Sequence, residues 1–131
     1  MPLFLLLLLM SVPLAQASHS GVWRSERHDI TVEAGALPIA TPTFTAPAEV
    51  PERSRVISYR WHIRLRVPPS AGFSLMLCGK ERCVRLHTLV GQGTGLLGER
   101  ARGPFYFVYR YTPDGKSLPL EGSQQLTVDF T

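Results

Sequence analysis

"VISYRWHIRLRV", residues 56–67, decides how the rest of this chain is read. Ile57, Tyr59, Trp61, Ile63, Leu65 and Val67 recur at every second position, and Ser58, Arg60, His62, Arg64 and Arg66 fill the alternate ones. Successive side chains of a strand point to opposite faces, so this period describes a strand with one apolar and one cationic face. A helix would need apolar residues three and four apart. Pro68 and Pro69 then end the strand, since neither can donate to a ladder.

Moving outward, further short runs carry strand character. "FSLMLC" (73–78) and "CVRLHTLV" (83–90) flank the two cysteines. "FYFVYRY" (105–111) is apolar almost throughout, and its middle is expected to be buried on both sides. "QLTVDF" (125–130) alternates Leu126, Val128 and Phe130 inward. "HDITVE" (28–33) and "TPTFTA" (41–46) are shorter candidates, the second an edge strand because of its prolines. "TPDGK" (112–116) has the residue order of a type I turn with a bulge, sending the chain back through "SLPL". Residues 35–54 hold Pro38, Pro42, Pro47 and Pro51 and read as a long surface excursion. Seven to nine short antiparallel strands punctuated by Pro and Gly predict an all-β, single-domain β-sandwich, with a small closed β-barrel as the alternative.

The N-terminus sets the compartment. "MPLFLLLLLMSVPLAQA" carries no charged side chain, and its apolar run from Leu3 to Val12 is too short to span a bilayer. It ends in Ala15-Gln16-Ala17, the small-x-small pattern of a secretory cleavage site. We expect residues 1–17 to be a signal peptide cleaved after Ala17. Residues 18–131 are then one exported domain without a membrane span. The n-region departs from the usual pattern in having no Lys or Arg before the apolar run. The formal net charge is +4, and twelve of the fourteen basic residues are Arg.

Export changes the meaning of "LCGKERCVRL", residues 77–86, which contains the chain's two cysteines. If Cys78 and Cys83 are cross-strand partners, Leu77 faces Val84, Met76 faces Arg85 and Leu75 faces Leu86. The leucines and Val84 then share the core face, and both cysteines lie on the outer face across the turn Gly79–Arg82. Directly opposed strand positions come within disulfide range, and an oxidising compartment favours the bond. A metal site would add only His87 to the two cysteines, one ligand short of a structural zinc. A redox site would need C-x-x-C at a helix start.

Other motifs carry less. "GTGLLG" (93–98) matches a nucleotide-binding glycine pattern but has no helix after it, because Gly98 and Gly103-Pro104 interrupt. His28 and Asp29 are adjacent on a strand, so they would point apart and could not orient each other as triad members. We find no catalytic constellation and expect no enzyme, no cofactor and no metal. Arg60, Arg64 and Arg66, with Arg85 on a neighbouring strand, make a basic face. It is either a solvated, edge-protecting surface or a docking surface for an acidic partner, an anionic lipid head group or an anionic glycan. Nucleic acid is not expected in an exported chain without interleaved exposed aromatics. Trp23 and Tyr106 would serve an exported carbohydrate- or peptidoglycan-binding module if their rings were exposed.

The order of these segments resembles a known family. Trp23 in "GVWRSERHDITVE", the strand "ISYRWHIRL", the hairpin "LCGKERCVRL", the Gly-rich "GQGTG" and the closing "LPLEGSQQLTVDF" follow one another as in the FlhE family of flagellar proteins. The most specific part is L-C-x-x-x-R-C-V-x-L, matched by Leu77, Cys78, Arg82, Cys83, Val84 and Leu86. The resemblance implies a β-rich, non-enzymatic periplasmic protein. It implies an accessory role in flagellar assembly: restraining misplaced periplasmic filament growth and limiting proton leak through the export gate. Its partners would be rod, hook or export-gate proteins.

Overall fold

The computed structural model describes residues 20–69, 72–112 and 119–131. The expected signal peptide, residues 1–17, lies outside these, as does most of the expected turn at 112–116. Eight strands appear among the described residues: β1 (Gly21–Val32), β2 (Gly35–Ala40), β3 (Val56–Leu65), β4 (Phe73–Cys78), β5 (Cys83–Leu86), β6 (Val90–Gly93), β7 (Tyr106–Tyr111) and β8 (Leu120–Phe130). They form two four-stranded sheets of order β1-β8-β3-β6 and β2-β7-β4-β5. Every pairing is antiparallel. The fold is all-β, a sandwich of two separate sheets rather than the closed barrel.

The core follows from the alternation. Trp23, Tyr59, Trp61, Ile63, Leu126, Val128 and Phe130 of the first sheet are buried. So are Leu75, Leu77, Leu86, Phe107, Tyr109 and Tyr111 of the second. Phe44, Leu96 and Phe105 come from loops and close the ends. Aromatic rings cross the interface, with Trp23 and Phe105 centroids 5.9 Å apart and Phe44 edge-on to Phe107 at 5.9 Å. Each core Trp satisfies its indole N–H: Trp23 Nε1 donates to the Ala101 carbonyl at 2.7 Å and Trp61 Nε1 to Thr88 at 2.9 Å.

Several expectations change. The β3 alternation fails at its start: the pairing with β8 skips a residue between Val56 and Ser58. Val56 is therefore buried and Ile57 is 41% exposed. A second bulge, at His28–Asp29, lets β1 run from residue 21 while reversing its phase, so Trp23 and Ile30 both point inward. Asp29 takes φ 58 there, a region Asp enters more readily than most residues. The middle of β7 is not buried on both sides: Phe107 and Tyr109 are buried, while Tyr106 and Val108 are half-buried on the outer face. The edge strand of the 35–54 segment is β2, not "TPTFTA", from which Phe44 makes a single bridge to Phe105. The run 83–90 is not one strand. It leaves the second sheet after Leu86 and enters the first at Val90.

The glycines of "GQGTG" are explained by what lies beneath them. A Cβ on Gly91 would stand 2.6 Å from the Trp61 ring and one on Gly93 2.7 Å from the Tyr59 hydroxyl. Edge strand β6 can lie flat over these two aromatics only without side chains of its own at those positions.

Candidate functional site: the outer face of the first sheet

Across β1, β8 and β3 the outward residues form ranks fixed by the register. Arg24, Thr127 and Arg60 make one rank, Glu26, Gln125 and His62 the next, and Ser123 pairs with Arg64 in a third. His28, at the β1 bulge, lines the same groove as Ser123 and Arg64. The central strand thus offers short uncharged polar groups, and the flanking strands carry cations. Three shallow, contiguous grooves of about 400, 210 and 300 Å³ run along this face and share Arg24, His28, His62 and Arg64.

Its charge is largely compensated. Arg24 pairs with Glu26 at 2.9 Å, Arg60 with Asp129 at 3.6 Å and Arg66 with Glu121 at 3.3 Å. Ser58 adds a hydroxyl donor to Asp129 at 3.0 Å. Arg24–Glu26 and Arg66–Glu121 are solvent-exposed and Asp129 is half-buried, so these pairs shape the field more than they stabilise the fold. Arg64 has no carboxylate partner among the described residues; its Nε donates to His62 Nε2 at 3.4 Å. That bond requires His62 to be neutral at Nε2.

The structure brings Arg60, Arg64 and Arg66 to this one face, on and just beyond β3. It does not bring Arg85 to them. Arg85 lies on β5, in the other sheet, because the chain crosses between sheets at residues 87–89 and the neighbour of β3 is β6. Trp23 is 4% exposed, so its ring offers no stacking surface, and Tyr106 is half-buried. His28 lies 3.5 Å from Glu26 rather than in a triad with Asp29.

Cys78 and Cys83 are bonded to each other, and the strand register is Leu75–Leu86, Met76–Arg85, Leu77–Val84 and Cys78–Cys83. The bond removes both thiolates from the three-ligand metal reading, and His87 is exposed. One expectation needs correction. Cys83 is exposed on edge strand β5, but Cys78 is 1% exposed, because β4 lies between β5 and β7.

The turn between the cysteines is held by a residue that spacing did not single out. Glu99, 6% exposed, accepts the backbone N–H groups of Glu81 and Arg82 on Oε1, each at 3.0 Å. The Arg82 guanidinium donates to the Leu97 carbonyl at 2.6 Å. A Cβ at Gly79 would stand 2.8 Å from that same carboxylate oxygen and would have to push it off the turn. The cysteines and arginine of L-C-x-x-x-R-C-V-x-L thus serve a clamp between the β4–β5 turn and the loop before β7.

A second buried polar group ties the sheets together. Gln124 of β8 donates through Nε2 to the Tyr109 hydroxyl at 2.7 Å and to Thr41 Oγ1 at 3.3 Å. Burial pushes the Tyr109 hydroxyl well above its ordinary pKa, with the Gln124 bond working the other way. On β1, Arg27 lies over the Phe44 ring at 5.6 Å and donates to the Thr43 carbonyl.

Comparisons with known proteins agree with this architecture. A search of curated proteins returned no match. A family model described as "Flagellar protein FlhE" matches residues 31–130. A solved structure described as "Crystal Structure of FLHE" superposes with a TM-score of 0.73 at 26% sequence identity, over 85% of this chain and 96% of that one. With the family model covering three quarters of its length, the chain belongs to the FlhE family of flagellar proteins.

Proposed function

We propose that this chain is a periplasmic accessory protein of flagellar assembly that works by binding. In this reading the rigid sandwich presents the outer face of the β1-β8-β3-β6 sheet to a rod, hook or export-gate component. It thereby regulates or chaperones rod and hook assembly, prevents misplaced filament growth in the periplasm and limits proton leak through the gate. The observation that carries the reading is the FlhE family match over residues 31–130. The face itself supports it: cationic side chains flank the half-buried Gln125 and Ser123, which can hydrogen-bond an extended partner. The carbohydrate alternative loses its leading aromatic with the burial of Trp23.

The reading is tested by co-purification. The natively exported chain, bearing a C-terminal tag, is cross-linked in motile and swarming cells, and captured rod, hook and gate proteins are quantified. Enrichment of at least one, reduced by Arg64→Glu, is expected. Capture of none of these proteins refutes the reading.

A further inference from the structure

Two arginines stand outside the ion pairs of the first sheet. Arg55 and Arg100 face each other in an isolated antiparallel bridge. Backbone bonds lie one residue to either side of them, from Val56 N to Glu99 O at 2.9 Å and from Ala101 N to Ser54 O at 2.9 Å. That pattern makes Arg55 and Arg100 a non-hydrogen-bonded pair, the arrangement in which Cα atoms come to about 4.5 Å and side chains are closest. On its other side Arg55 exchanges both backbone bonds with Thr131, at 2.8 and 3.1 Å. The cross-strand neighbours of Arg55 are therefore a second arginine and a threonine. Val56 is buried, so Arg55 points away from the core, and both arginines are exposed.

Neither guanidinium has a carboxylate within 4.0 Å among the described residues. Glu99, adjacent to Arg100 in sequence, has its Oε1 committed to the turn at Glu81 and Arg82. Like charges placed directly opposite each other destabilise a sheet. Two arginines that leave the backbone at directly opposed positions can bring their guanidinium groups to one anion with two acceptor oxygens, which Arg binds through paired N–H groups. Ile57, two residues along from Arg55, supplies exposed apolar surface beside them.

We propose that Arg55 and Arg100 form a docking point for a carboxylate on an acidic segment of a protein partner, with Ile57 as its apolar flank. This names the partner chemistry and rests on the reading that the chain acts by binding. Unlike Arg24, Arg60 and Arg66, this pair has no carboxylate within 4.0 Å among the described residues, so it can engage an incoming one at lower cost.

The test uses the processed protein and a fluorescein-labelled hexaglutamate peptide, read by anisotropy at two salt concentrations. Arg55→Gln combined with Arg100→Gln should weaken binding at least tenfold, and Arg110→Gln, an exposed arginine of the other sheet, less than threefold. Arg100→Glu should abolish binding while raising the urea midpoint, a combination that loss of folding cannot mimic. The proposal is overturned if the wild-type protein does not bind the peptide, or if the double variant binds as wild type does. It is also overturned if Arg110→Gln weakens binding equally, or if phosphatidylglycerol vesicles are captured through this pair and the peptide is not. A double variant that still captures flagellar proteins in full overturns the docking point and leaves the binding reading standing. Capture of none by the wild-type protein overturns the binding reading itself.

Discussion

Removing the Glu99 carboxylate should destabilise the fold about as much as cutting the disulfide does. Glu99 Oε1 holds two backbone N–H groups at 3.0 Å each from a position that is 6% exposed. Hydrogen bonds to a charged group contribute about 1.5–3 kcal/mol apiece. The turn it holds faces water at Lys80, Glu81 and Arg82, so solvent recovers part of that when the carboxylate is gone. Discounting by about half gives a loss of about 1.5–3 kcal/mol for Glu99→Ala. With a urea slope of about 1.5 kcal/mol/M, the midpoint should fall by about 1–2 M. Gly79→Ala places a methyl 2.8 Å from the same oxygen and 3.4 Å from the Phe105 ring, which should cost about 1–3 kcal/mol. In the Glu99→Ala background most of that clash is absent, so the two changes should couple by at least about 1 kcal/mol. Urea titration followed by the fluorescence of Trp23 and Trp61, in oxidised protein, measures all four corners of the cycle. A Glu99→Ala midpoint within 0.3 M of wild type (about 0.5 kcal/mol), or strict additivity with Gly79→Ala, refutes the clamp.

Other expectations rest on the same geometry. Cys78→Ala with Cys83→Ala closes no loop in the unfolded chain and should cost about 2 kcal/mol for a separation of 5, with far-UV circular dichroism unchanged. Gly91→Ala should destabilise by about 1–3 kcal/mol and alter the near-ultraviolet tryptophan signal, because its methyl meets the Trp61 ring. Gly35→Ala, with nothing within 4 Å of the new methyl, should be neutral or slightly stabilising in the same melt. Tyr109 keeps its proton in the fold to higher pH than in the unfolded chain. Its contribution should be complete below about pH 10 and lost as pH rises beyond it. Tyr109→Phe should therefore flatten the alkaline fall of stability measured in urea, and an unchanged slope contradicts the buried assignment. Mass spectrometry of the natively exported protein should find Ser18 as the first residue and no free thiol.

The sequence made the sandwich legible where side-chain period and pairing geometry coincide. Tyr59, Trp61 and Ile63 are buried as their alternation requires, and the hairpin register set by Cys78 and Cys83 is the one observed. It was opaque wherever one residue shifts the phase. The bulges at Ile57 and His28–Asp29 leave no mark in composition, and each reverses the facing of the strand residues on its far side. The corner at residues 87–89 reads as strand because Leu86 and Leu89 both pack inward, one at each side of the crossing, and it is this corner that separates Arg85 from Arg60. Glu99 and Gln124 are polar residues in polar surroundings of the sequence. Their burial depends on a turn and a sheet far away along the chain, which no local pattern encodes. The compensation of Arg60 by Asp129 and the bare juxtaposition of Arg55 with Arg100 are likewise products of register.

Electron cryotomography of cells lacking the gene tests the flagellar role most directly. Restraint of flagellar growth by this FlhE-family protein predicts rods or filaments growing within the periplasm of the deletion strain, abolished when the intact gene is restored. Flagella of unchanged number, position and length in the deletion strain, with none in the periplasm, contradict it.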